Sequence, residues 1–416
     1  MTMLGPMVVV AETSAADLVD VLGKAGAFPI VEATFADAPA AIAEIQPSAL
    51  VLADAKPCPD ERAKEALIRK IDARRGPFMP VLARVQDDGA LAIPNAIPIA
   101  LNDPQERLVA RLRSALRVRT LHATVLRRAR DGQASKARAI PTGLLDHATV
   151  LCLGRGPSYP ALTTAIGERV ALIGAFSVDM AASYLNARDI DGVVVGDGFG
   201  PKVIEALLTV LAEDVRFRDL PVGVFGAAAV EDPRLANLIH VERDPVHLVD
   251  CLLPLVRLQA FETHLNRLLK SLETDGLVDP ETGLIARDPF WRELDRAVHE
   301  AEDGGTALSV ARFTFEDIDR RTSIDAARLF SRLVRNVDFA CRERDGSILA
   351  AFTETDLRSA HVVARRLASV LRQTMLSPDR DRSSIKPTIT LATLKPTDNL
   401  STLVARVGTY PKVAAS

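Results

Sequence analysis

Short apolar runs alternate with helical patterns twice over in the first 258 residues, and this alternation constrains the fold more than any single motif does. Residues 7–11, 28–33, 49–53 and 80–83 read as strands, and residues 15–25, 39–45 and 106–119 as helices. In the last of these, Leu108, Leu112, Ala115 and Leu116 share one helical face. The pattern then recurs, with strands at 149–153, 170–173, 192–195 and 221–225 and helices at 202–211 and 246–256. Such alternation predicts a doubly wound parallel sheet, so two are expected, over residues 1–125 and 147–258. Open sheets of this kind hold their ligand chemistry at the carboxyl ends of the strands. Asp54 and Asp197 each follow a predicted third strand at such an end.

Residues 276–416 follow a different pattern, with helices at 289–302, 357–376 and 400–410 and strands at 307–315 and 388–394. Apolar-rich runs at 337–341 and 348–352 flank a polar middle containing Asp345-Gly346. An Asp-Gly pair so placed predicts a β-hairpin whose two turn residues take φ > 0. Arg335 and Asp338 stand just ahead of its first strand. Leu255, Leu258, Phe261, Leu265, Leu268, Leu269 and Leu272, spaced by three and four, suit an amphipathic helix that joins the two patterns over 259–275. Its stripe packs either within the chain or against a second copy.

Composition narrows the function classes. A chain of 416 residues holds two to four domains, and 48% hydrophobic residues suffice for packed cores. A net charge of −3 gives no electrostatic case for nucleic acid or an anionic membrane as partner. Residues 126–146 carry Arg127, Arg128, Arg130, Lys136 and Arg138 without aromatic residues among them, and read as a solvated linker rather than a nucleic-acid patch. Cys58, Cys152, Cys251 and Cys341 are far apart and lack metal-like spacing, which points to a reduced cytoplasmic setting without structural zinc. No apolar run approaches the roughly 18 residues of a membrane span.

The closing region resembles the GGDEF domain of diguanylate cyclases. Asp279-Pro280-Glu281-Thr282-Gly283-Leu284-Ile285-Ala286-Arg287 is similar to that family's entry motif, Asp-x-Leu-Thr-Gly-Leu-x-Asn-Arg, departing from it at Glu281 and Ala286. The family's inhibitory Arg-x-x-Asp site precedes its signature pentapeptide by five residues. Arg335 and Asp338 fit that spacing, and the signature position holds Arg344, Asp345, Gly346, Ser347 and Ile348. The resemblance implies an α+β domain with a mostly antiparallel sheet. The two earlier regions look like response-regulator receiver domains, flavodoxin-like α/β folds, with Asp54 and Asp197 at the phosphoacceptor positions. The rest of each receiver site departs from the family. Glu12 beside Ala11, and Gly154 with Arg155, stand where an acidic pair is usual; Arg84, and Phe225 or Gly226, replace a hydroxyl; Asp103 and Asp244 replace a lysine. Phosphotransfer needs carboxylates to hold Mg²⁺ and a cation to neutralise phosphate charge, so both positions read as degenerate and Asp54 as a strand-end aspartate.

What the resemblance implies for chemistry is asymmetric. Diguanylate cyclases join two GTP molecules with the help of two metal ions. The family's metal-binding acid in the turn is Gly346 here and the next acid is Ser347, while Arg344 and Asp345 replace two glycines. After the first strand of the region stand Phe313, Thr314 and Phe315, with Glu316, Asp317 and Asp319 a few residues late. No catalytic residue and no metal ligand is therefore assigned. Arg335 and Asp338 remain, and two readings of them stand. A bidentate arginine can hold guanine O6 and N7 while an aspartate accepts from N1 and N2, as the family's inhibitory site does with cyclic di-GMP. Alternatively the two form a local salt bridge. The expected protein is a non-catalytic cyclic di-GMP effector or adaptor in bacterial signalling, cytoplasmic and homodimeric, requiring no cofactor and acting on protein partners the sequence does not name. Its alternatives are a ligand-independent scaffold dimerising through the receiver-like regions, and a residual cyclase using Asp317 or Asp319.

Overall fold

The computed structural model describes residues 5–54, 60–86, 93–101, 103–129, 144–226, 232–274, 276–316, 318–335, 337–373 and 386–408. The chain divides into two compact units, 1–266 and 267–416. Most of the 126–146 segment, with Arg130, Lys136 and Arg138, lies outside the described residues, as do Cys58 and Asp317.

The first unit contains two all-parallel five-stranded sheets. One is built from β1 (Gly5–Val10), β2 (Ala27–Ala33), β3 (Ala49–Leu52), β4 (Val81–Val85) and β5 (Ile97–Ala100), in the order β2-β1-β3-β4-β5. Helices α1 (Ala16–Lys24), α2 (Ala38–Ile45), α3 (Glu61–Asp72) and α4 (Gln105–Arg128) accompany it. The other contains β6 (Thr149–Leu153), β7 (Ala171–Ala175), β8 (Gly192–Val195), β9 (Val222–Phe225) and β10 (Leu238–Val241), in the order β10-β9-β8-β6-β7. Its helices are α5 (Tyr159–Gly167), α6 (Val178–Ala187), α7 (Pro201–Glu213) and α8 (Pro245–Glu273). Counted within each half, both sheets have the flavodoxin-like order 2-1-3-4-5. Helices on both faces bury the central strands, which is why β3, β8 and β6 after Thr149 are unbroken apolar runs rather than alternating ones.

The two halves meet through α4, α8 and β10. Arg111 of α4 is 2% exposed, and its guanidinium donates to Ala236 O at 3.1 Å, to Leu238 O at 2.9 Å and to Pro98 O. Arg117 reaches Glu262 at 3.0 Å and Asp219 at 2.7 Å. Phe261 packs edge-on against Phe78 and His122, and the His122 Nδ1 accepts from the Phe78 N–H at 2.9 Å. The helix expected over 259–275 thus starts much earlier, at Pro245, and continues through Pro254 to Glu273. Its stripe is used inside the chain at Leu255, Leu258, Phe261 and Leu265, all buried.

The second unit opens with α9 (Arg287–Gly304) and continues as β11 (Ser309–Thr314), α10 (Arg320–Leu333), β12 (Phe339–Arg342), β13 (Ile348–Phe352), α11 (Leu357–Gln373), β14 (Thr388–Thr393) and α12 (Leu400–Ala405). The sheet order β12-β13-β11-β14, antiparallel at every pairing, is that of a βαββαβ ferredoxin-like unit. Alternation along β11 separates two cores. Ala311 and Phe313 join Phe330 of α10 and Leu367 of α11 on one side; Val310 joins Phe290 and Leu294 of α9 on the other. Among the described residues no helix is long and apolar enough to cross a membrane.

Candidate functional site

The β12–β13 hairpin carries the sequence-derived site at its two ends. At the turn, Gly346 donates to Glu343 O at 3.0 Å and Glu343 N–H donates to Ser347 O at 2.8 Å. Within the turn only Gly346 has positive φ, at +85°. The loop therefore has three residues closed by a glycine bulge, not the two-residue turn expected from Asp345-Gly346, because neither Arg344 nor Asp345 takes positive φ and the glycine alone supplies it.

The turn's polar groups are engaged within the protein. Asp345 Oδ1 accepts from the Ser347 N–H at 3.0 Å and from its hydroxyl at 2.6 Å, and Oδ2 pairs with Arg312 of β11. Arg312 also donates to Ser347 Oγ at 3.2 Å and to Gly408 O. Burial acts to raise the Asp345 carboxyl, but Ser347 and Arg312 outweigh it and hold the group below its ordinary value. The Ser323 hydroxyl of α10 donates to Gly346 O at 3.1 Å and accepts from Arg342 at 2.8 Å. Glu343 is buried and paired with Arg287 of the entry motif at 2.7 Å, which raises the guanidinium further. Ile348 enters the core. Arg287, Arg312 and Ser323 are the partners that sequence reasoning missed. The one signal for Arg312 is its charge among the apolar residues Val310, Ala311 and Phe313.

At the other end, about 15–20 Å away by strand rise, sit Arg335 and Asp338. The Asp338 N–H donates to Arg335 O at 3.0 Å, while Asp338 Oδ1 accepts from the Thr353 N–H of the opposite strand end at 3.2 Å. The Thr353 hydroxyl closes the same corner on Val337 O at 3.0 Å. Asp338 is only 8% exposed, and burial pushes its carboxyl up from the ordinary value against the pull of Thr353 and Arg335. Arg335 is exposed, and among the described residues its side chain enters no ion pair, with Asp338 or otherwise. Beside them, Val337 is 66% exposed.

The other candidate carboxylates have local duties. Asp319 caps α10 by accepting from Thr322 N–H at 2.6 Å. Asp54 lies at the carboxyl edge of its sheet and accepts from Glu12 N–H at 2.7 Å, but the Glu12 carboxylate turns away to Phe35 N–H at 3.0 Å. Asp197 accepts from the Ser158 hydroxyl and from Ser158 N–H at 3.3 Å; a Cβ at Gly156 would come within 2.4 Å of its carboxyl carbon. Asp103, at the first receiver-like lysine position, pairs with Arg107 at 2.8 Å. Among the described residues, no group of three or more His, Cys, Asp or Glu side chains is placed to hold a metal ion.

No protein-family model matches the chain, and no curated protein matches it. Among solved structures it is similar to the coiled coil and GGDEF domain of DgcB from Caulobacter crescentus in complex with c-di-GMP, at 23% identity, over 35% of this chain and 83% of that one, with a TM-score of 0.30. It is also similar to the FimX GGDEF domain from Pseudomonas aeruginosa, at 19% identity over 32% and 89%, TM-score 0.29. A third is the active GGEEF domain of a diguanylate cyclase from Vibrio cholerae, at 15% identity over 30% and 86%, TM-score 0.27. At such identities and scores these likenesses carry no mechanistic weight; the fold stands on the strand orders above.

Proposed function

We propose that this chain is a non-catalytic effector that binds cyclic di-GMP at Arg335 and Asp338 and acts on protein partners. The observation that carries the reading is the absence of the alternative salt bridge among the described residues: Arg335 presents an unpaired guanidinium to solvent, while Asp338 is fixed by Thr353 through one oxygen and keeps Oδ2 unclaimed. A planar fork can hold guanine O6 and N7, and a carboxylate oxygen can accept from N1 or N2.

The non-catalytic part of the reading is supported by the turn. Phosphoryl transfer between two nucleotides needs acids free to hold metal, and here Asp345 is paired with Arg312, Glu343 with Arg287, and Asp319 serves as a helix cap. Titration calorimetry with cyclic di-GMP on the full chain and on Arg335→Ala tests the binding step. Heat with the wild type and its loss in the variant are expected; no heat with the wild type removes the reading. Incubation with GTP and Mg²⁺ or Mn²⁺ tests the other step, and dinucleotide product would overturn it.

A further inference from the structure

The two helical layers of the second unit carry opposite charge. Helix α11 has Arg358, Arg365, Arg366 and Arg372 and no acidic residue. Helix α9 has six acidic residues against three arginines. Their apolar faces enter different cores on opposite sides of the sheet, Ala360, Val363, Leu367 and Leu371 on one side and Phe290, Leu294 and Val298 on the other. The charged faces therefore point away from each other, and α11 and α9 of one chain do not pair.

The spacing of these charges matches. Arg358, Arg365 and Arg372 recur every seven residues along α11, and Asp288, Asp295 and Glu302 recur every seven along α9, all six exposed. Seven residues advance a helix by about 10.5 Å and rotate the row by only about 20°, so each set forms a nearly straight line of the same pitch. None of the three arginines enters an ion pair among the described residues; on α9, Asp288 makes one long contact with Arg287 at 3.7 Å. The basic residues on the acidic row, Arg292 and His299, lie four residues beyond Asp288 and Asp295; Val362 and Ser369 lie four residues beyond Arg358 and Arg365. In a parallel register each of these two basic residues thus falls opposite an uncharged one, and Val362, 66% exposed, supplies an apolar contact.

We propose that α11 of one copy docks on α9 of a second copy of this chain, with Arg358, Arg365 and Arg372 set against Asp288, Asp295 and Glu302. Different faces meet, so the contact is heterologous. Because those faces lie on opposite sides of one sheet, each added copy leaves a fresh face exposed and the assembly is an open chain rather than a closed twofold pair. The contact is electrostatic and exposed, so it is weak and sensitive to salt.

Sedimentation velocity on the full chain tests this as salt is raised from about 0.01 M to about 1 M, over which the screening length falls from about 30 Å to about 3 Å. At low salt the average mass is expected to climb with concentration beyond that of a dimer, and at high salt to return to one chain. Arg365→Glu and Asp295→Arg should each lower the association constant at least tenfold, and combining both in one chain should restore it, because the swapped pair again joins opposite charges. Both positions are exposed, so melting curves of the variants are expected to overlay that of the wild type. A single species at every salt and concentration, association indifferent to salt, or a double variant no better than either single one would overturn the proposal.

Discussion

Asp338 and Asp345 lie on one hairpin, seven residues apart, and have opposite surroundings. Asp345 is exposed, yet held by an arginine and a serine that lower its proton affinity. Asp338 is buried and anchored by one backbone amide, and Arg335 pulls on it without closing an ion pair, so burial prevails and its proton affinity rises. The turn is thus a structural clasp that ties β11, α10 and the hairpin together, while the base of the hairpin holds one cation and one carboxylate oxygen uncommitted among the described residues. A side chain's exposure alone does not tell which of two acids is available to a ligand; its partners do.

Four experiments break or sharpen that contrast. The largest effect is expected from Arg335→Ala, which should weaken cyclic di-GMP binding by about 10- to 100-fold, the range for losing hydrogen bonds to a charged group, with Tm unchanged in the absence of ligand. Next, Gly346→Val forces a β-branched residue to φ +85° with its Cβ 3.0 Å from Ser323 Oγ; chemical denaturation should show a loss of about 1–3 kcal/mol. Arg312→Ala unties the clasp and should cost about 1 kcal/mol while leaving dinucleotide affinity within about twofold. If it abolished binding, the two ends of the hairpin would be one site and the contrast would fail.

The smallest effect is a separation in pH. In the proposed site an ionised Asp338 accepts more strongly from guanine than a protonated one, and its carboxyl lies above the ordinary 3.8, so affinity should fall as pH drops through that raised value. Asp345 lies below the ordinary 3.8 in the folded chain, so its contribution to stability is complete above 3.8 and is lost only as pH falls through the depressed value. Calorimetry and melting curves at stepped pH should show binding lost before the clasp weakens.

Periodicity made the two parallel sheets legible because doubly covered strands must be apolar along their whole length. It failed at β5 and β10. Ile97-Pro98-Ile99 carries a proline that counts against a strand, tolerated here because β5 is an edge; His240 interrupts the apolar run of β10. Helix α10 lies in a stretch rich in arginine, where the cap at Asp319 and core residues such as Ile324, Ala327, Leu329 and Phe330 mark its face. At the site, the spacing of Arg335, Asp338 and the turn was readable, but the fates of the two acids were not. Those depend on Thr353 and Arg312, which reach them only through cross-strand pairing and a sheet neighbour. Pro254, already inside the helix read over 246–256, does not end α8, which continues to Glu273.

Arg111 has a further consequence. Sealed between the halves of the first unit, with its pKa lowered to about 10 by burial, it remains charged at neutral pH and satisfies carbonyls from β5, from β10 and from the residues just before β10. Prying the halves apart would strand three acceptors and rehydrate a cation in the same event. Neither sheet can therefore loosen alone, and the 266 residues should melt in one cooperative step, as a single folding unit assembled from a duplicated design.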